Sequence, residues 1–384
     1  MRRLIVLLER AWRNTVVYPT LRLIINNRQV QLPIDLSKVG SILILRYDKI
    51  GDMIVTLPIF QLLKSRNPRI KIGVLASTAN VELVRADKNV DDCFVVYNNP
   101  LKLLGELNRI RKAHYPMVLN FIFNRMTSGG LICNFACRNA IKIGQGQEKY
   151  RFYFNVLLSI PRGTTHMFEM LIHYIEQIFG IRVLDAEKSI RFTVDEAARD
   201  VVDRFLEKHG LTRCTSKESG VRSFVILNVS ARQDNKRLLA NQVVAIAAEL
   251  TRQMQLETIV ISAPEDRTMA VEVVAEVGNA RCIYFPELDR ASLLEIASLV
   301  EGATCLVTPD TAVIHIASAM GTPVVGIFTP LQVNQEWLPY KTKYGLIKAP
   351  ENQPVSSIPP GTLVSGVRDF LDQILPPKNI TAET

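Results

Sequence analysis

Three residues in the last third of the chain, Asp310, Thr311 and His315, have the types and spacing to grip an anionic ligand. They sit in TCLVTPDTAVIHIASAMGTPVVGIF (304–328), which reads as strand, turn, helix, turn, strand. Cys305 to Thr308 is a short apolar run of the kind buried on both faces of a parallel sheet. Pro309 is expected to stop it and Asp310 to cap the helix that follows. Val313, Ile314, Ala317 and Met320 would give that helix one buried stripe, with Gly321 and Pro323 ending it before a strand over Val324 to Phe328. Free N–H groups and the helix dipole at such a junction hold phosphates. His315, one turn beyond Thr311, can face the same ligand.

Other polar groups stand at the ends of other apolar runs. In RYDKIGDMIVTLP (46–58), Gly51 permits a tight turn, and Asp52 is either a helix cap or a functional acid at the carboxyl end of the first strand. SARQDNKRLLANQ (230–242) carries Arg232, Lys236 and Arg237, which suit a diphosphate or a solvated loop. Glu265 and Asp266, after a strand over 258–263, could accept hydrogen bonds from ribose hydroxyls or cap a helix. GxSxG, GxxxxGK[ST] and HExxH patterns are absent. Gly144-Gln145-Gly146 follows a strand, but Lys149 replaces the third glycine of a dinucleotide fingerprint. With no Asp-x-Asp pair to hold a divalent ion, a departing pyrophosphate must be neutralised by Lys, Arg and a helix dipole.

The elements that must position these groups alternate along the chain. Strands are expected at 41–47, 71–77, 93–97, 117–121 and 141–144, with helices between them and a long helix over 166–179. Residues 181–194 lack periodicity and make the best linker. After a helix over 195–209, strands at 223–229, 258–263, 282–285 and 305–308 alternate with helices, and 362–375 has helical spacing of apolar residues. An α/β protein follows, with two Rossmann-like doubly wound halves facing across a cleft: residues 39–188 and 189–384, after an N-terminal extension over 1–38.

A length of 384 residues fits two domains, and 48% hydrophobic with 22% charged residues is ordinary for a globular protein. Residues 1–180 hold 25 Lys/Arg and 12 Asp/Glu, whereas residues 181–384 hold 21 and 25. The first half should therefore meet something anionic. Nucleic acid is not expected, since no zinc knuckle, RNP-type strand or helix-turn-helix pattern appears. The six cysteines are scattered and read as reduced thiols of a cytoplasmic protein; Cys133 and Cys137 share a helix face but lack partners for a metal site. No stretch approaches the ~18–20 apolar residues needed to cross a bilayer. In the extension, Leu4 to Leu8 is too short for a signal peptide. Six arginines at 2, 3, 10, 13, 22 and 28, with Trp12 among apolar residues, suit an anionic membrane surface; a helix packed on the next domain accounts for them as well.

GDMIVTLP (51–58) and TPDTAVIHIASAMGTPVVGIF (308–328), in this order and at this separation, resemble glycosyltransferase family 9, the ADP-heptose:lipopolysaccharide heptosyltransferases. The resemblance extends over roughly 41–375. It implies the GT-B fold and an inverting, metal-independent transfer without cofactor, from an ADP-heptose donor on the second domain to an anionic lipopolysaccharide core or related glycolipid acceptor on the first. It also implies a cytoplasmic enzyme peripheral on the inner face of the cytoplasmic membrane. Asp52 matches the proposed general base, with Gly51 and Arg125 on the acceptor side. Asp310, Thr311, Ala312 and His315 match the DTG-x-x-H motif that meets the donor, Lys236 (with Arg232) its pyrophosphate contact, and Glu265 or Asp266 its ribose-binding acid. Ala312 stands where glycine is typical, and Leu238 where a tryptophan often follows the lysine. Alternatives are a family 9 transferase using another nucleotide sugar, a catalytically silent nucleotide-sugar-binding envelope protein and, least supported, a nicotinamide oxidoreductase.

Overall fold

The structure, a computed structural model, describes residues 12–25, 27–123, 126–160, 162–214, 224–286, 290–330 and 332–375. The chain divides into two compact units. The first comprises Met1–Met53, Ile59–Pro161 and Met170–Leu184; the second comprises Ile54–Pro58, Arg162–Glu169 and Asp185–Thr384. The division is therefore not a single cut at the aperiodic 181–194 segment, because 162–169 belongs with the second unit.

In the first unit, β1 (Ser41–Leu45), β2 (Lys71–Ser77), β3 (Asp92–Val96), β4 (Met117–Asn120), β5 (Ile141–Gln145) and β6 (Val156–Leu158) form one parallel sheet. Its order is β3-β2-β1-β4-β5-β6. The second unit repeats this with β7 (Phe224–Asn228), β8 (Glu257–Ile261), β9 (Cys282–Phe285), β10 (Cys305–Pro309), β11 (Val324–Phe328) and β12 (Tyr344–Lys348), ordered β12-β11-β10-β7-β8-β9. Both are doubly wound α/β sheets. Their central strands carry continuous apolar runs, as burial on both faces demands: Ile42 to Leu45 and Phe224 to Leu227 are essentially inaccessible. In each sheet the winding reverses between the first strand and its fourth, β1/β4 and β7/β10, where α/β proteins place ligands at the carboxyl ends.

Several local expectations are corrected. β6 and β12 are edge strands that sequence periodicity missed; β6 is apolar but only three residues long, and β12 is half-exposed. β10 does end at Pro309, but the proline is itself the last residue of the strand, paired with Ile327, one position beyond the expected end. The helix beyond is Val313–Met320 and is buried over Ile314 to Ala319 rather than along one stripe. Gly321 closes it at φ 74°, the left-handed conformation glycine adopts without strain. Gly144 serves packing, not a cofactor, since a Cβ there would lie 2.6 Å from the Phe154 ring. The helix Pro360–Ile374 buries Leu363, Val367, Phe370 and Leu371 in the core of the second unit, as its spacing predicts.

Candidate active site

In the second unit the sheet reversal gathers side chains from three strand ends. Asn228, the buried last residue of β7, donates through Nδ2 to Thr308 Oγ1 at 2.8 Å and to Thr311 Oγ1 at 3.3 Å. Thr308 Oγ1 donates in turn to Pro309 O at 2.8 Å, fixing the turn out of β10. Asp310 follows, and it does not cap the helix: the residue before Val313 is Ala312, and its side chain makes no capping bond. Instead the Asp310 carboxylate forms an ion pair and hydrogen bond with Lys236 Nζ, from the short 3-10 turn Asp234–Lys236 after β7. Both side chains are mostly buried, at 10% and 19% exposure, so each charge depends on the other. The N–H groups of Ile314 and His315 already bond to Thr311 O and Ala312 O. The amides of Thr311, Ala312 and Val313 are therefore the ones at the open end of the helix.

The neighbouring groups separate by exposure. Asp266 is buried and accepts a 2.6 Å bond from Arg237 Nη1, whereas Glu265 beside it is exposed. Arg232 is exposed on the same loop as Lys236. An open cavity of about 770 Å³ flanks this turn, lined by Asp234, Asn235, Thr329 and Glu351 among others. That volume is within the range of small-molecule sites.

His315 lies deeper, 4% exposed, with its ring 5.4 Å from Trp337 and 6.3 Å from His166. Its Nδ1 has no hydrogen-bond partner among the described residues. The ring thus neighbours His166 of the 162–169 segment and Trp337. That segment is clasped to the unit: Arg162 meets the buried Glu336 carboxylate in a two-pronged pair at 2.8 and 2.7 Å, and Gly163 N–H adds a third bond. His166 accepts from Phe168 N–H at Nδ1 and lies 3.1 Å from Leu338 O through Nε2, a pattern that fits the neutral imidazole protonated at Nε2.

Burial pushes the His315 pKa down to about 4, and burial together with His315 pushes His166 down to about 3. Both stay neutral in the folded protein while the unfolded chain titrates near 6.5. The folded state is then at its best above pH 6.5 and loses about 1.4 kcal/mol per pH unit for each histidine as pH falls toward 4. Melting temperatures taken from pH 7 to 4.5 should drop less steeply for His166→Gln/His315→Gln than for the wild type; parallel curves would refute the assignment.

In the first unit, Arg46 closes the apolar strand β1 with no exposure at all. Its Nε donates to Asp52 O at 2.9 Å, Nη2 lies 3.1 Å from Asp52 Oδ1, Nη1 lies 3.3 Å from Asp48 Oδ2, and Nη1 also donates to Phe121 O. Asn80, also wholly buried, donates to Arg46 O at 3.1 Å and Lys49 O at 3.3 Å. Asp52 is thereby held inside the short helix Ile50–Ile54, as neither a free acid nor an end cap. Gly51 belongs to the same helix and has no positive φ, so the tight-turn expectation is corrected. Arg125 lies outside the described residues. Among the described residues no group of three His, Cys, Asp or Glu side chains is placed to hold a metal ion.

The model of glycosyltransferase family 9 (heptosyltransferase) matches residues 109–358, well over half of the chain. The chain belongs to glycosyltransferase family 9. It is similar to the lipopolysaccharide core heptosyltransferase OpsX of Haemophilus influenzae, 21% identical over 312 residues that cover 77% of this chain and 81% of that protein. The crystal structure of a family 9 glycosyl transferase from Veillonella parvula superposes with a TM-score of 0.73 at 18% identity, covering 90% of this chain and all of that one. Heptosyltransferase WaaC of E. coli with ADP superposes with a TM-score of 0.65 at 16% identity, covering 87% and 97%. The two-sheet α/β architecture is thus the GT-B fold, and the protein is a glycosyltransferase.

Within this family 9 enzyme, the structure brings Lys236, Asp310 and Thr311 together and leaves Arg232, on the Lys236 loop, and Glu265, next to Asp266, exposed. Ala312, in place of the usual glycine, sits at φ −60° and ψ −24°, which any residue adopts, so its methyl group adds no backbone strain. Leu238 is buried in the core of the second unit. Sequence reasoning missed Asn228, Arg46 and Asn80. Arg46 and Asn228 each follow an otherwise apolar strand, and a polar residue ending such a run is the signal that could have found them.

Proposed function

We propose that this glycosyltransferase moves a heptose from ADP-heptose to a lipopolysaccharide core acceptor at the inner face of the cytoplasmic membrane, with inversion and without a metal. The observation that carries the reading is the Lys236–Asp310 pair beside Thr311 at the β7/β10 reversal. The relatives, a lipopolysaccharide core heptosyltransferase and a heptosyltransferase with ADP, support the donor and acceptor classes.

The chemistry is one in-line displacement at the anomeric carbon. Asp52 accepts the proton of the attacking acceptor hydroxyl as the new C–O bond forms, and ADP leaves from the opposite face. Arrival of the diphosphate gives Lys236 a second anionic partner, and the amides of Thr311 and Ala312 meet the oxygens on which charge develops. An Asp310 oxygen released from Lys236 is then available to a sugar hydroxyl. Glu265, exposed and outside the Arg237 hydrogen bond that occupies Asp266, is the better partner for the ribose.

Differential thermal unfolding tests the donor assignment. ADP at about 100 times its dissociation constant should stabilise the protein by about 2.7 kcal/mol, and UDP or NAD at equal concentration by far less. A larger shift with UDP would sink ADP-heptose as donor. Failure of ADP-heptose plus acceptor to release ADP with a chelator present would sink metal-independent transfer.

A further inference from the structure

The helical segment over residues 12–24 has two faces with different surroundings. On the inner face Tyr18 is buried, its hydroxyl 2.9 Å from Thr127 Oγ1 and its ring edge-on to Tyr150 at 5.8 Å. Leu21 and Ile25 join the core of the first unit. Just beyond, Asn27 Nδ2 donates to Asn134 Oδ1 and Phe152 O, and Lys142 Nζ donates to Asn27 Oδ1. The segment is therefore a fixed part of the first unit, which resolves half of the choice left open by the sequence.

The outer face is different. Trp12 is 59% exposed, Val16 47%, Leu23 87% and Ile24 70%. Trp12 and Val16 are one turn apart, and Leu23 lies two turns beyond Val16, so the three share a side of the helix. Large apolar residues gathered on an exposed helix face mark a surface that something covers. Charge indicates what. Residues 12–34 contain Arg13, Arg22 and Arg28 and no acidic residue. Arg22 lies over the Phe152 ring and reaches Lys149 O, next to another cation. An exposed apolar ridge on a segment whose charged side chains are all arginines is complementary to anionic headgroups over an acyl layer. A second copy of the chain fits poorly, because a two-fold interface would set the same arginines against each other.

We infer that the outer face of the 12–24 helix lies in the headgroup region of an anionic bilayer and fixes which side of the first unit meets the membrane. This extends the membrane location proposed above, but it is read without donor, acceptor or turnover, so the two can fail separately.

Flotation of the full-length protein with vesicles tests it. Binding to phosphatidylcholine vesicles containing about one-third phosphatidylglycerol should exceed binding to phosphatidylcholine alone, and should fall steeply with salt. Leu23→Glu/Ile24→Glu and Arg22→Glu/Arg28→Glu should each weaken it about tenfold or more. Because these side chains are exposed, both variants should keep the wild-type melting temperature. Equal binding to neutral and anionic vesicles, undiminished binding by both variants, or conversion of a dimer to a monomer by Leu23→Glu/Ile24→Glu without change in vesicle binding would overturn the inference.

Discussion

Asp52→Asn should reduce glycosyl transfer by ~10²–10⁴-fold while leaving ADP binding unchanged. The amide keeps the volume of the carboxylate and can no longer accept the hydroxyl proton. Arg46 would still have the Asp52 carbonyl, Phe121 O and Asp48 around it, so the buried guanidinium is not orphaned by the change. Folding should therefore survive, and the loss should appear in kcat. Calorimetric titration with ADP alongside initial rates of ADP release separates the two quantities. A variant with wild-type turnover would remove Asp52 from the reaction. One that had lost ADP binding as well would point to a structural role for the Arg46–Asp52 pair.

Lys236→Met should lower kcat/KM for the donor by ~10²–10³-fold, the usual cost of removing one preorganised group at a developing negative charge. The ion pair adds a distinctive signature. Without Lys236 the Asp310 carboxylate is left mostly buried and unpaired, which destabilises the fold on its own. Lys236→Met/Asp310→Asn should therefore melt at a higher temperature than Lys236→Met although it is no better a catalyst. Equal melting temperatures for the two would show that the pair does not couple in solution. A Lys236→Met enzyme within threefold of wild-type kcat/KM would remove Lys236 from the diphosphate site.

Much of the architecture is visible in the order of residues because its signals are local. Buried parallel strands announce themselves as unbroken apolar runs, as in Ile42 to Leu45, Phe224 to Leu227 and Val324 to Phe328. Gly321 marks a helix end through a backbone requirement of its own. Two of the four edge strands escaped: β6 is only three residues long, and β12 leaves Tyr344 and Lys348 in solvent. Asp310 was misread for a related reason: an acid before a helix usually caps it, but a lysine 74 positions earlier in the chain competes for the same carboxylate, and no local pattern reveals that.

Residue order alone determined the two alternating α/β halves, the candidate acids and cations at their strand ends, and the family to which they belong. Folding decided what each of those side chains faces. It pairs Lys236 with Asp310, assigns Arg237 to Asp266 and leaves Glu265 exposed, turns His315 toward His166 and Trp337, and clamps Asp52 with an arginine that no motif singles out. It also divides the 12–24 helix into a docked face and an open one. The reason is the range of the forces involved: strand and helix formation follow neighbours in sequence, whereas ion pairing and burial follow neighbours in space, and these sites are built from residues up to 174 positions apart.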